Sequence, residues 1–332
     1  MTIYDIAKAA GVSASTISRV INNKEGVSEK KRQEIKDLLN KYHYLPDENA
    51  QNLVRQSTHT IGILVDELNS MHIMDSAARV ECSIMAAGYF CFMKYIGEGP
   101  DAVKDSLIDM AKKRVEGLFL MGVRFADHDT LAEYIKSYLP DIPVVLVHQN
   151  RTINLPNVYA VGSNEKRGIE NCVDRLAERG RKHLLLMIDA GRTSAQTIRS
   201  AFEQRIIYSH PEIKFDVLTD VPKSREGGSE CIRRFFPDHP DIDGILCVND
   251  TMAVGVLYTL QELGKKIPKD ISLIGEDNSL ICEATQPKLT SMDPMLAIDS
   301  TTSAAVLLDV LKGMNRNKSI TFEMEIVERE TL

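Results

Sequence analysis

The sequence predicts an α/β protein: two lobes built on parallel sheets, preceded by a small all-helical unit. Three observations point there. Residues 3–40 carry three consecutive helical patterns and no strand-like run. From Thr60 onward, short apolar runs alternate with helix-like stretches, the layout of parallel α/β domains. Those apolar runs are nearly unbroken, as in strands covered on both faces, and too numerous for one sheet in a body of this size.

The helical unit comes first. Ile3, Ile6, Ala7 and Ala10 recur at helical spacing, Gly11 permits the left-handed backbone that ends a helix, and Val12 fills the corner. Ser13 is a natural N-cap for a second helix whose Ile17, Val20 and Ile21 face inward. Its outer face is short and polar: Ala14, Ser15, Thr16, Ser18, Arg19 and Asn22. Two helices broken once by a tight turn make a helix-turn-helix, and this outer face has the size and chemistry to read a major groove. Ser28 opens a third helix, to Asn40, whose Ile35, Leu38 and Leu39 close a three-helix core.

The body alternates from its first strand. TIGILV, YFCFMKY and GLFLMGV read as strands, separated by a helix ending at Ala87 and another from Ala102 to Lys113. Val144 to Val147, Val158 to Val161 and His183 to Ile188 continue the strand series, with a helix from Asn164 to Glu178. Further strands are expected at Phe215 to Leu218, Gly244 to Val248, Ile271 to Gly275 and Thr321 to Val327. Gly88, Gly180 and Gly264 follow helical runs as C-cap residues do.

Composition narrows the function. The chain has 332 residues and a formal net charge of −7, yet residues 1–56 hold nine Lys/Arg against seven Asp/Glu. A weakly basic head on an acidic body directs a polyanion to one end. No apolar run approaches the roughly twenty residues of a membrane span, and the N-terminus lacks a cationic and apolar leader, so a cytoplasmic protein with no membrane association is expected. The six cysteines show neither CxxC pairs nor metal-ligand spacing with histidine. There is no P-loop, HExxH or GxSxG, so no catalytic residue, metal or cofactor is assigned.

The stretches TIYDIAKAAGVSASTISRVINN, VSEKKRQEI and YHYLP followed by AQNL resemble the headpiece and hinge of the LacI/GalR family of bacterial transcription regulators. The order of Ile61-Gly62-Ile63-Leu64-Val65, Arg114-Val115-Glu116-Gly117, Ile142-Pro143-Val144-Val145, Arg199-Ser200-Ala201-Phe202, Asn249-Asp250 and Ile274-Gly275-Glu276-Asp277-Asn278 extends the resemblance over the body.

The resemblance implies a headpiece at residues 1–46, a hinge segment at 47–58, and a two-lobed effector-binding and dimerisation domain at 59–332, built like a periplasmic binding protein. Lobe 1 would hold about 59–161 and 291–318, lobe 2 about 162–290 and 319–332, with the chain crossing three times. It implies base reading by Ala14, Ser15 and Arg19, phosphate and register contacts by Ser13, Thr16, Ser18 and Asn22, and backbone contacts by Tyr4 and Tyr44. Leu53 would wedge into the minor groove from a hinge that folds only on DNA. Asp47 and Glu48 depart from the family pattern and repel phosphates, so modest or strongly salt-dependent binding is expected.

Ligands of two-lobed α/β proteins sit between the lobes at strand C-termini. Family matching places Arg199, Asn249 and Asp277 in that pocket, with two further candidates, His148 at the end of the strand Val144 to Val147 and Ser70 in the loop after the first strand. Asp250 is expected to cap the helix from Thr251 to Leu263, and a cap role for Asp277 at Asn278 to Ala284 competes with ligand contact. Ser163, Glu276 and the loop Leu68 to Ile73 depart from the family pattern. They thin the aromatic wall that stacks on sugars and admit a polar, anionic or phosphorylated ligand. Sugar is the class the resemblance implies.

The expectation is thus a repressor that binds palindromic operator DNA as a homodimer and responds to a small-molecule effector. The alternatives are a sugar sensor or carrier that binds no DNA, which would not need the helical head, and an α/β enzyme, for which no nucleophile–base pair is visible.

Overall fold

A computed structural model describes residues 2–44, 57–189 and 191–332. The chain divides into two compact units, Met1–His59 and Thr60–Leu332. Leu53 and residues 47–56 of the expected hinge lie outside the described residues.

The first unit is three helices, α1 (Ile3–Ala10), α2 (Ala14–Ile21) and α3 (Glu29–Lys41). Thr2 and Asp5 form a reciprocal capping box at the start of α1, and Gly11, at φ 64°, ends it. The Ser13 hydroxyl accepts the Thr16 N–H to start α2 at once. Ile6, Ala7, Ala10, Ile17, Val20 and Ile35 are the buried core, with Leu38, Leu39 and Tyr44 packed on it. So small a core needs help from polar ties. Lys31 Nζ donates to the last carbonyl of α1, Ala10 O, at 2.7 Å. Arg32, 8% exposed, donates to Lys24 O (2.7 Å) and Asn23 Oδ1 (3.2 Å), holding the α2–α3 loop.

The second unit carries two six-stranded sheets. Lobe 1 contains β1 (Thr60–Val65), β2 (Phe90–Tyr95), β3 (Gly117–Met121), β4 (Val144–Val147), β5 (Val158–Ser163) and β11 (Ser319–Phe322), in the all-parallel order β11-β5-β4-β3-β1-β2. Its helices are α4 (Met71–Ala86), α5 (Ala102–Lys112), α6 (His128–Tyr138) and α12 (Leu296–Leu311). Strand alternation sends Ile61, Ile63 and Val65 to the α4/α12 face, while Leu64, Leu118 and Leu120 meet α5 and α6.

Lobe 2 repeats the plan with β6 (His183–Asp189), β7 (Lys214–Val221), β8 (Gly244–Cys247), β9 (Ser272–Glu276), β10 (Thr290–Asp293) and β12 (Glu325–Val327), in the order β12-β10-β9-β8-β6-β7. Only the β10–β12 pair is antiparallel among the described pairings. Its helices are α7 (Glu165–Glu178), α8 (Ala195–Ser209), α9 (Arg225–Phe235), α10 (Asp250–Glu262) and the short α11 (Ile281–Ala284). Leu184, Leu186 and Ile188 pack under α7 and α8, and Leu185 and Met187 under α9 and α10.

The chain crosses between lobes three times, after Ser163, after Asp293 and after Phe322. These crossings correct the expected boundaries. Thr290–Asp293 pairs with β9, so residues 291–293 belong to lobe 2, and β5 runs on to Ser163 in lobe 1. The run Thr321 to Val327, read as one strand, is two: Ser319–Phe322 pairs with β5 in lobe 1, and Glu325–Val327 with β10 in lobe 2. Two crossings are tied together, since Asn164, the N-cap of α7, donates to Glu323 Oε1 at 3.1 Å. The third turns at Met295 (φ 63°), whose N–H donates to Asp293 Oδ1 at 2.6 Å. Among the described residues, no helix is long and apolar enough to cross a membrane.

Candidate functional site

On the helical unit, the outer face of α2 is a small cluster of hydroxyls, an amide and one guanidinium. Ser13 Oγ hydrogen-bonds Ser15 Oγ (2.7 Å) and Thr16 Oγ1 (2.9 Å), and Asn22 Nδ2 donates to Ser18 O (2.8 Å). Ser15 and Arg19 are exposed; Thr16, Ser18 and Asn22 are half-buried. The Arg19 guanidinium passes Gly26, where an added Cβ would stand 3.1 Å from Nη1. Tyr4 is 74% exposed at the start of α1. Ala14 and Tyr44 are half-buried against the core, so each also serves the packing of the unit.

In the second unit, a cavity of about 400 Å³ opens between the two sheets at the C-terminal ends of their strands. Its centre is Arg192, in the turn between β6 and α8. One guanidinium meets three carboxylates: Nη2 binds Glu165 and Glu276 (Oε1 at 2.6 Å), and Nη1 lies 3.5 Å from Asp189. Nη1 also donates to Val248 O, and Nε to Ser194 Oγ. Burial opposes the charge on Arg192, yet Glu276, Glu165 and Asp189 together hold its pKa well above the ordinary value.

Glu276 ends β9 and Asp277 follows it in a left-handed conformation (φ 102°). Burial pushes the Glu276 carboxyl up to about 8, against the pull of Arg192 and helped by Glu165 and Asp277. Burial and the neighbouring Asp250 carboxylate push Asp277 up to about 7. Asn249, the N-cap of α10, takes the Met252 N–H on Oδ1 and donates from Nδ2 to Asp277 Oδ2 at 3.0 Å. One side chain therefore starts a helix and aims a carboxylate. Asp277 does not cap the following turn, and Asp250, rather than capping α10, accepts from Ser279, Cys282 and Ser291.

Lobe 1 supplies histidines. His148 leaves β4 at φ 61°, and its ring is held by Ser76 Oγ on Nε2 (2.7 Å) and Asp299 Oδ2 near Nδ1 (3.3 Å). That connectivity belongs to hydrolytic triads, but Ser76 is 0% exposed and does not line the cavity; the array orients His148. His72 stands edge-on to His148, ring centroids 4.9 Å apart, with Nδ1 3.9 Å from Asp277 across the cleft. Burial, then proximity to His148, holds its pKa well below 6.5, so it is neutral near pH 7. Asp66 accepts the Arg124 N–H and lies over Gly122, where a Cβ would stand 1.8 Å from Oδ1. Among the described residues, no aromatic side chain other than histidine lines the cavity.

His148, Asn249 and Asp277 thus come together in the cleft. Arg199 and Ser70 do not line it. Arg199 points outward on α8, 48% exposed, and pairs with Glu203 one turn on. Ser70 is the buried N-cap of α4, accepting the Ile73 N–H. The central group missed by sequence reasoning is Arg192. The signal was present: it sits three residues beyond the end of a strand, where ligand groups converge, whereas Arg199 lies a full turn into the next helix. The acidity of the lining also departs from the expected room for an anion. Of its charged groups, six are Asp or Glu and four are Lys or Arg.

Residues 2–47 match the family model "Bacterial regulatory proteins, lacI family", and residues 173–332 match the periplasmic binding protein-like domain. The chain is 24% identical over 332 residues to an HTH-type transcriptional regulator of Lachnoclostridium phytofermentans, covering 100% of this chain and 99% of that one. It is 29% identical over 294 residues to the HTH-type transcriptional repressor PurR of Mannheimia succiniciproducens, covering 88% and 86%. It is 25% identical over 295 residues to catabolite control protein A of Staphylococcus epidermidis, covering 88% and 87%. In fold it is similar to the lac repressor dimer bound to operator and the anti-inducer ONPF (TM-score 0.88, 21% identity, 100% and 98% covered). It is similar also to the regulator CelR in complex with cellobiose (TM-score 0.70, 20% identity, 100% and 99% covered). The Lachnoclostridium and Mannheimia proteins and CelR are regulators or repressors of transcription by name. A matching head, a matching body and relatives aligned end to end place this chain in the lacI family of bacterial regulatory proteins.

Proposed function

We propose that this chain is a cytoplasmic transcriptional repressor that binds palindromic operator DNA as a homodimer, with an affinity changed by a small molecule, a sugar or sugar derivative, held in the cleft. The observation that carries it is the conjunction, in one chain, of the helix-turn-helix head and a ligand-sized cleft between lobes. The three crossings give the cleft a hinge, so a ligand touching both lobes favours one placement of them and shifts the DNA-competent population.

On DNA, α2 enters the major groove with Ser15 and Arg19 at base edges, Ala14 permitting close approach, and Ser13, Thr16, Ser18 and Asn22 on phosphates. Tyr4 and Tyr44 meet the backbone, and Leu53 wedges the minor groove. His148, Asn249 and Asp277 are joined by Arg192 as the effector-binding set.

The test is footprinting and anisotropy with the full chain on its own upstream region. An inverted-repeat footprint whose affinity falls steeply with salt is expected. Arg19→Ala should cost about 1–3 kcal/mol and relax discrimination at one base pair of each half-site. Uniform weak binding to all sequences would overturn the reading.

A further inference from the structure

Around Arg192 the cleft holds more negative charge than its own cations neutralise. Glu165, Asp189, Glu276 and Asp277 all line the cavity, and the single guanidinium among them is already engaged by the first three. The other cations are occupied or peripheral: Lys223 faces Glu67 at 3.7 Å, Lys166 is 59% exposed with Glu170 at 4.0 Å, and Arg151 is exposed. Neither neighbouring histidine changes the balance from within a hydrogen bond of these carboxylates; His72 is 3.9 Å from Asp277 and is held neutral by burial.

A second, independent observation identifies what is missing. Glu276 is 4% exposed and its Oε2 has no hydrogen-bond donor; Asp189 is 8% exposed, and its Oδ1 has only the ion-pair contact with Arg192 Nη1 at 3.5 Å and no hydrogen bond. Both line the cavity, as does Asp66 of lobe 1, whose buried Oδ1 is also without a donor. Buried acceptors are normally satisfied, and leaving one without a donor is destabilising, more so when it is charged. Three such atoms on one cavity ask for a donor-rich occupant. The described residues offer no group of three or more His, Cys, Asp or Glu able to hold a metal ion.

We propose, resting on the reading of the cleft as an effector site, that the effector is an amino sugar or similar small polyol whose protonated amine docks against the Glu276 and Asp189 carboxylate oxygens that lack a hydrogen bond. An ammonium supplies three donors and one positive charge to a site short of both, whereas a hydroxyl supplies one donor and no charge. The neutral ring leaves the carboxylates to be neutralised by protons instead, and the raised proton affinity of Glu276 and Asp277 is the mark of that unfilled state. A phosphorylated ligand would meet the same carboxylates with the wrong sign.

The test is calorimetry on the full chain at pH 7 with D-glucose, D-galactose and D-mannose, their 2-amino and 2-acetamido forms, and D-glucosamine 6-phosphate. At least one amine should bind tenfold or more tightly than its hydroxyl and acetamido counterparts. Glu276→Gln should erase that preference, and Asp189→Asn should weaken it if the first variant does not fold. A neutral, acetylated or phosphorylated sugar binding as tightly as its amine, or no amine binding at all, overturns the proposal. Anisotropy on operator separates the two readings. If a neutral sugar shifts operator affinity, the effector cleft stands and the amine falls; if Asn249→Ala leaves every ligand response intact, the cleft reading itself falls.

Discussion

The face of α2 and the interlobe cleft are both polar, but they are assembled over different distances in the chain. On α2 the side-chain hydrogen bonds run between near neighbours, Ser13 with Ser15 and Thr16, and Asn22 with Ser18. In the cleft, Arg192 reaches 27 residues to Glu165 and 84 to Glu276, and His148 reaches 72 to Ser76. The first face exists whenever its helix does. The second exists only when two sheets are folded and their loops brought together, so it carries buried charge, non-glycine residues at positive φ and raised carboxyl pKa values that α2 lacks.

The most severe way to break the contrast is at Arg192. Arg192→Ala leaves three carboxylates facing one another in a buried site and should cost about 3–5 kcal/mol. Thermal unfolding should show the loss in the larger unit while the helical head keeps its own transition. Adding Glu276→Gln should recover part of it; a double variant no more stable than the single would show that repulsion is not the cause.

The reverse experiment acts on the head. Ile35→Ala empties the middle of a core of six buried residues and should cost about 2–5 kcal/mol. A unit this small has little stability to lose, so operator binding should vanish while ligand binding is retained. Loss of both would mean that the two units are not independent.

A smaller effect is read in pH. Glu276 and Asp277 have ordinary carboxyl values of 4.5 and 3.8 and are raised to about 8 and about 7 in the folded protein. The folded state binds the extra protons, so their contribution is fully present below about pH 4 and is lost as pH rises through 7 and 8. Each group steepens the decline by up to about 1.4 kcal/mol per pH unit. The Tm of the larger unit, without ligand, should fall between pH 5 and 8, and Glu276→Gln should flatten the decline. A Tm that rises over that range would contradict the charge balance drawn above.

The smallest effect sharpens the site. Arg199→Ala removes an exposed pair within one helix and should change stability by less than about 0.5 kcal/mol. Ligand affinity should stay within about threefold, since the side chain is outside the cavity. A tenfold loss in calorimetry would return Arg199 to the site.

The elements were largely legible because they rest on local signals. The capping residues Thr2, Ser13 and Asn164, the turn at Gly11 and the apolar strands all act within a few residues of themselves. Of the residues that line the cleft, His148 was read from its place at a strand end and Asn249 and Asp277 from the family resemblance, whereas Arg192, three residues beyond β6, was not read at all. Ser70 caps α4 and does not line the cavity, but the first turn of that helix carries His72 into it.

By itself the sequence determined the three-helix head, its polar reading face, the α/β periodicity and the presence of two lobes, because caps, turns and alternating burial are properties of neighbouring residues. Tertiary structure alone decided which sheet receives each late strand, sending Ser319–Phe322 and Glu325–Val327 to opposite lobes across two residues. It also decided that one guanidinium should face Glu165, Asp189 and Glu276, leaving two of those carboxylates each with an oxygen that makes no hydrogen bond. Charge balance in a cleft is a sum over residues distant in the chain, and no local pattern encodes that sum.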